Sequence, residues 1–299
     1  MQQALIFILA KLVGLYINIL SFIAPKKAGR LAYGFFTGPR AGRLIKDSLP
    51  GILREAKTET ITHNDLVFQT YTWAGNDTKV LLVHGWESNA SRWKLLISYL
   101  KKAGCTIIAI DAPAHGLTGG TEFSIPRYAQ FIDCLVQLHR PQYMVGHSLG
   151  GATAIFYQSQ YKNSTLQKLV TLGAPCDFTT IMDNFRKLLS LNSRVMRFMD
   201  SHLLESYKVT PQEFSGSLFA SKITIPGLIA HDKKDKTVAY TEGEKIAKAW
   251  PSARFITTKG LGHSMHDMAL YETIFSFLFD KDEVALNADN ETNTNTVAI

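Results

Sequence analysis

Residues 143–151 open with the short apolar run Tyr143, Met144 and Val145, pass through Gly146-His147-Ser148-Leu149-Gly150, and lead into the helix-prone residues 152–157. The pattern reads as a strand, a sharp turn with a serine at its tip, and a helix. A serine hydroxyl is a weak nucleophile. It reacts only when held clear of the backbone, beside a base and near amide N–H groups that can stabilise an oxyanion. A tight strand-to-helix turn brings the positions two before and two after the serine against neighbouring backbone, which is why glycines stand at 146 and 150. Five residues alone arise by chance in many chains, so the weight falls on their context.

Such a nucleophile needs a carboxylate and then a histidine, each beyond the end of a later strand. The apolar, partly β-branched residues 223–230 predict a buried parallel strand, and two aspartates follow it, Asp232 and Asp235. Asp232 stands at the strand end; Asp235, three residues further out, can turn its carboxylate toward an adjacent loop and is the favoured acid. At least one of the two balances Lys233, Lys234 and Lys236 in a solvated loop. A second strand-like run, residues 253–258, precedes Gly260-Leu261-Gly262-His263. His263 in that glycine loop is favoured over His266, which falls where the last helix is expected to have begun and so caps or packs.

An oxyanion hole has its own signature. Residues 79–83 predict a strand that ends in His84-Gly85-Trp86, so that the backbone N–H of Trp86 joins that of Leu149 in facing the developing charge; losing one such donor typically costs about 100- to 1000-fold in turnover. His84 reads as a structural histidine that shapes the loop. Residues 106–110 predict another strand, which runs into Asp111-Ala112-Pro113-Ala114-His115-Gly116, and His115 there also reads as structural.

Together these five segments, in this order, resemble the α/β-hydrolase superfamily over roughly residues 57–279. The resemblance implies a mostly parallel central sheet with helices on both faces, opened by a hairpin near residues 58–73. It implies Ser148 as nucleophile, His263 as general base, Asp235 as the acid that orients it, and Trp86 and Leu149 as oxyanion donors. Two departures stand out: Ala114 replaces a frequent glycine, and Asp232 stands where glycine commonly follows the strand histidine. A serine at 148 argues against the dehalogenases and epoxide hydrolases of this fold, which use an aspartate. What it leaves is acyl transfer to water, foremost carboxylic ester hydrolysis of lipophilic or medium-chain substrates, then thioester or amide hydrolysis and, after these, carbon–carbon bond hydrolysis, with no cofactor or metal implied. A catalytically silent fold that binds a ligand or partner, and an acyltransferase on the same residues, are the alternatives.

The 299 residues, 46% of them hydrophobic, suffice for one large α/β domain and exclude a disordered chain. Three cysteines, Cys105, Cys134 and Cys176, have no metal-ligand spacing and suggest no disulfide framework. The net charge of +7 is concentrated early, in Lys26, Lys27, Arg30, Arg40, Arg43, Lys46, Arg54 and Lys57. No nucleic-acid recognition motif accompanies these residues, and they follow a hydrophobic helix, so anionic lipid is the more natural partner.

That helix, residues 4–24 of a hydrophobic segment 1–25, approaches the ~20 residues that span a bilayer. Lys11, Gly14, Asn18 and Ser21 mark one thin stripe along it at helical spacing. A cleaved signal peptide is disfavoured, because no basic residue precedes the apolar run. A single span would put the basic cluster on the cytoplasmic side. An in-plane helix, or one packed on the protein or a second subunit, suits the stripe better. Residues 26–56 are expected to form a basic helical connector. The stretch at about 176–221 exceeds a connecting loop and predicts a helical cap. Its apolar residues, including Phe178, Met182, Phe185, Met196 and Met199, recur at helical spacing. Most should pack, and the rest roof a pocket over Ser148. Residues 280–299 lack periodicity and are expected to be disordered.

Overall fold

The computed structural model describes residues 2–63 and 65–279; the expected disordered tail at 280–299 lies outside them. The chain begins with two helices, α1 (Gln2–Ile23) and α2 (Pro25–Thr37), separated at Ala24 because Pro25 has no N–H with which to continue the first. A short helix α3 (Gly51–Arg54) leads into the hairpin β1 (Lys57–His63) and β2 (Leu66–Trp73). Alternation then sets in: β3 (Asn76–Val83), α4 (Lys94–Leu100), β4 (Cys105–Ile110), α5 (Ile125–His139), β5 (Tyr143–His147), α6 (Leu149–Tyr161) and β6 (Lys168–Leu172). Three helices follow, α7 (Phe178–Leu189), α8 (Ser193–Tyr207) and α9 (Gly216–Ala220), before β7 (Gly227–Asp232), α10 (Tyr240–Ala249), β8 (Ala253–Thr258) and α11 (Met268–Phe279).

The eight strands form one sheet in the order β1-β2-β4-β3-β5-β6-β7-β8. Strands β1, β2 and β4 pair antiparallel, and every pairing from β4 onward is parallel. Parallel strands are buried on both faces, which is why their sequences read as unbroken apolar runs rather than alternating ones. In β3, Leu81 and Val83 enter the core beneath α5, α6 and α10, while Val80 and Leu82 enter the opposite core beneath α4 and α11.

A third apolar cluster stands apart from both. Ile17 of α1 and Ala28, Ala32 and Tyr33 of α2 pack with Met182, Leu189, Val195, Met199 and Leu203 of α7 and α8. The first two helices and the cap therefore form one four-helix roof. The stripe on α1 faces that roof: Asn18 Nδ2 donates to the Ser190 carbonyl at 2.8 Å, and Lys11 Nζ donates to Ser190 Oγ at 2.8 Å. Leu5–Ile23 is also long and apolar enough to cross a membrane.

Three sequence expectations are corrected. The connector at 26–56 is helical only in α2, α3 and a single turn at Lys46–Ser48; in between, Arg43 bridges Gly116 in extended pairing. The strand expected from 223 begins at Gly227, because Pro226 has no N–H for a ladder. The cap is narrower than 176–221. Asp177 bridges Ser215 and Gly216 N donates to the Cys176 carbonyl at 2.7 Å, which closes its neck. Phe219 and Ala220 of α9 belong to the core beside α6.

Gly227 seats the strand that carries the acid loop. A Cβ there would lie 2.6 Å from the indole of the buried Trp250, whose Nε1–H donates to the Ile225 carbonyl at 3.1 Å. Gly227→Ala is expected to lower stability by about 1–3 kcal/mol through overpacking, measured as a fall in the urea unfolding midpoint.

Candidate active site

Ser148 sits between β5 and α6 with φ 52° and ψ −127°, a left-handed conformation for a residue with a side chain. The surroundings enforce it. A Cβ on Gly146 would lie 2.7 Å from the Gly150 carbonyl, and one on Gly150 would lie 2.2 Å from the Val83 carbonyl. The two glycines allow β5, the turn and the end of β3 to pack backbone against backbone, and the serine side chain is pushed out of the turn.

His263 stands in a single 3₁₀ turn, Gly262–Ser264, after β8. The Ser148 hydroxyl donates to its Nε2 at 3.0 Å, and its Nδ1–H donates to Asp235 Oδ2 at 2.8 Å. The other oxygen of Asp235 accepts from the N–H groups of Thr237 and Val238 at 2.8 and 2.9 Å. Burial opposes charge on this carboxyl, but the bonds from His263 and the two amides outweigh it and hold its pKa below the usual carboxylate range. The imidazole tautomer follows: with Nδ1 protonated toward an anion, Nε2 presents a lone pair to the serine.

Of the competing residues, Asp232 and His266 lie elsewhere. Asp232 ends β7 fully buried; its Oδ1 accepts from Lys234 N at 2.8 Å, and its Oδ2 accepts from Thr258 Oγ1 and Leu261 N, each at 2.9 Å. It ties the acid loop to the loop that carries His263. His266 precedes the last helix, which begins at Met268, and its Nδ1 bonds the Tyr271 hydroxyl.

Two further residues grip the same loop from below. His147 Nε2–H donates to the His263 carbonyl at 2.7 Å, and Arg92 Nη2 donates to the Ser264 carbonyl at 2.9 Å. Burial, reinforced by the charge of Arg92, pushes the pKa of His147 well down and keeps it neutral. Sequence reasoning passed over His147, although its place beside the serine at the end of a buried strand was the available signal.

On the other side of Ser148, a Cβ at Gly85 would lie 2.8 Å from both the His147 carbonyl and Ser148 Cβ, and 3.2 Å from Leu149 N. This contact brings the Trp86 segment beside the start of α6. The N–H groups of Trp86 and Leu149 are committed to no acceptor among the described residues. His84 shapes the loop: Ala112 N donates to its Nε2 at 2.9 Å, its Nδ1–H donates to the Gly85 carbonyl at 2.7 Å, and complete burial lowers its pKa to about 3. His115 Nε2 accepts from Glu87 N at 2.9 Å. Buried Asp111 accepts from the Tyr71 hydroxyl and the Ala90 and Leu117 amides at 2.8–2.9 Å. Ala114 holds φ 63°, which explains why glycine is frequent there.

Ser148 opens into a cavity of about 430 Å³. Trp86 and Leu149 line it beside the serine, Phe178, Ile181, Phe185 and Leu188 of α7 and Leu203 and Tyr207 of α8 roof it, and Tyr33, Phe35 and Phe36 of α2 close one side. The wall from α2 was missed because Lys26, Lys27 and Arg30 dominate the reading of that segment, although Ala28, Ala32, Tyr33 and Phe36 repeat at helical spacing. Among the described residues, no group of three His, Cys, Asp or Glu side chains could hold a metal ion.

The pKa values of Asp232 and Asp235 are both depressed by their hydrogen bonds, against the effect of burial. Each therefore adds stability that is complete above the ordinary carboxylate pKa of about 4 and is lost as pH falls through the lower folded value. Asp232→Asn is expected to cost about 1–3 kcal/mol at pH 7 and to flatten the acid limb of stability, measured by urea midpoints from pH 3 to 7.

Comparison with known proteins agrees with this architecture. Over 171 residues the chain is 25% identical to monoacylglycerol lipase ABHD6 of Bos taurus, covering 53% of this chain and 48% of that protein. The chain thus spans about half or less of the length of the first such relatives. It is 20% identical over 256 residues to a monoacylglycerol lipase of Mycolicibacterium smegmatis, covering 72% of this chain and 86% of the other. Among solved structures, a bromoperoxidase from Bacillus anthracis superposes with a TM-score of 0.60 at 22% identity, over 75% of this chain and all of the other. The profile of the Alpha/beta hydrolase family matches residues 80–272, which hold the β3 end, Ser148, Asp235 and His263, and the chain belongs to that family.

Proposed function

We propose that this protein is a serine hydrolase that cleaves carboxylic esters of lipophilic acyl groups through an acyl-enzyme. The observation that carries the reading is the hydrogen-bonded array Ser148–His263–Asp235, whose serine lines an apolar cavity. Ser148 Oγ attacks the ester carbonyl carbon while its proton passes to His263 Nε2, and the carbonyl oxygen becomes an oxyanion facing the Trp86 and Leu149 amides. Collapse of the tetrahedral intermediate breaks the bond to the alcohol, which leaves with the proton from His263. A water then gives its proton to His263 and attacks the acyl carbon; the second collapse restores the serine and releases the acid. Asp235 holds the imidazole tautomer and stabilises the imidazolium formed in each half-reaction.

The lipophilic side of the reading rests on the lining, which is largely aromatic and aliphatic, and on a volume within the usual range of small-molecule sites. The relatives named monoacylglycerol lipase support the same class of substrate. Such esters reside in membranes, and α1 with the basic residues that follow it supports a location at an anionic leaflet such as the cytoplasmic one.

Ser148→Ala is expected to lower ester turnover by roughly 10⁴- to 10⁶-fold and Asp235→Asn by roughly 10⁴-fold, with circular dichroism unchanged. A fluorophosphonate should label the wild type at Ser148 alone, as read by mass mapping. Folded protein that resists labelling and turns over no ester would turn the assignment to a fold that binds a ligand without chemistry. Ile181→Trp narrows the roof and should lower kcat/KM for long relative to short p-nitrophenyl esters by about 10-fold or more.

A further inference from the structure

Helix α1 is amphipathic in an inverted sense. Its polar stripe faces the protein and its apolar surface faces away. Among the described residues, more than half of the large exposed apolar side chains belong to this helix, and Leu5, Leu12, Leu15, Ile19, Phe22 and Ile23 are each exposed by 55% or more. Such a surface left in water marks an interaction site.

The inner side shows how the helix is oriented. Lys11 Nζ donates to the Lys187 carbonyl at 2.6 Å and to Ser190 Oγ; Asn18 donates to the Ser190 carbonyl and accepts from Asn192 N at 2.8 Å; Asn192 Nδ2 donates to Ser21 Oγ at 3.0 Å. Between these bonds, a Cβ on Gly14 would fall 1.6 Å from the Leu189 carbonyl, so only glycine allows the helix this close. The bonds run along α1 from residue 11 to residue 21 and all end on the turn at 187–192 between α7 and α8. A helix crossing a bilayer would leave that turn and carry an unpaired lysine into hydrocarbon. A helix kept on the turn can present only its outer face.

Charge identifies what covers that face. Residues 1–46 contain seven Lys and Arg and no Asp or Glu, which accounts for the whole net charge of +7. Exposed Lys26, Lys27 and Arg30 open α2 where α1 ends, and the Arg194 guanidinium lies 5.0 Å from the Phe22 ring. A second copy of the chain would bring these cations together across a two-fold axis. An anionic lipid surface neutralises them and takes up the apolar face between them.

We propose that α1 lies in the plane of an anionic bilayer with its outer face among the acyl chains, and that its polar stripe fastens the 187–192 turn of the cap to that surface. The pocket roof is then ordered against the membrane from which a lipid ester enters. This last step rests on the proposed hydrolase function, whereas the docking of α1 stands without it.

The test uses the full chain, diluted from detergent onto phosphatidylcholine vesicles with and without 30% phosphatidylserine. Binding is read by flotation, and amide exchange of residues 187–192 by mass spectrometry. The expected result is binding at least about tenfold tighter with phosphatidylserine, weakened by 0.5 M salt, released at alkaline pH, and accompanied by slower exchange at 187–192. Leu12→Glu with Ile19→Glu should abolish binding while leaving turnover of soluble p-nitrophenyl acetate unchanged. Lys11→Ala with Asn18→Ala should keep binding and lose the slowed exchange. Resistance to alkaline extraction would overturn the in-plane helix in favour of a span. A stable dimer that ignores vesicles would overturn the lipid partner, and unchanged exchange at 187–192 in bound wild type would overturn the link to the cap. Because flotation and exchange require no catalysis, loss of ester turnover alone would count against the hydrolase function and not against docking.

Discussion

The site hangs on a contact between two stretches of backbone: the end of β3 at Val83–His84–Gly85 and the start of α6 at Ser148–Leu149–Gly150. Gly150 approaches the Val83 carbonyl, and Gly85 approaches Ser148 itself, at separations that leave no room for a Cβ. The consequences follow in order. Ser148 is forced to positive φ and its hydroxyl out of the turn. The segment that continues from Gly85 into Trp86 comes to lie beside Leu149 at the start of α6. Because β3 and β5 are parallel neighbours in register, with Val83 opposite Gly146, the contact is a product of the sheet and not of either loop. A strained residue persists only where the surrounding structure over-determines it, and here two buried cores clamp the strands from both faces.

Charge around the site is sorted with equal care. Two aspartates of one loop, Asp232 and Asp235, remain anions because backbone amides point at them, and only one of them reaches the imidazole. The buried histidines His84 and His147 are kept neutral by desolvation; His84 offers one N–H and one lone pair to fixed backbone groups, and His147 donates one N–H to the His263 carbonyl. The result is a division of labour. His147, Arg92 and Asp232 hold the carbonyls and amides of the loop at 261–264, so the position of His263 does not depend on the flexibility of its own glycines.

The legible parts of the chain were those whose signal is local. Buried parallel strands announce themselves as apolar runs, and the elbow, the Gly-flanked His263 and the His84-Gly85 strand end each require particular residues within a few positions. Asp235, favoured over Asp232 because a carboxylate beyond the strand can reach sideways, is the one of the two that bonds His263. What could not be read is what depends on long-range placement. Asp232 looks idle until Leu261 is seen to donate to it across 29 residues. Helix α9 reads as cap by position and belongs to the core because Phe219 packs edge to face against Phe156. The stripe on α1 was visible, but not that its partner would be a turn some 170 residues away.

The α2 wall of the pocket was hidden by the basic residues that open that helix, and it changes which elements line the cavity above Ser148. The sheet and its flanking helices hold the loops that bring Ser148, His263 and Asp235 together, and they supply part of the cavity lining. The roof and one side come from α2, α7 and α8, which share an apolar core of their own around Met182, Met199 and Leu203. The neck at Asp177 and Ser215 joins the cap to the sheet by one bridge and a few hydrogen bonds. On the proposed function, the acyl group admitted depends on side chains of α2 as well as on those of the insertion between β6 and β7.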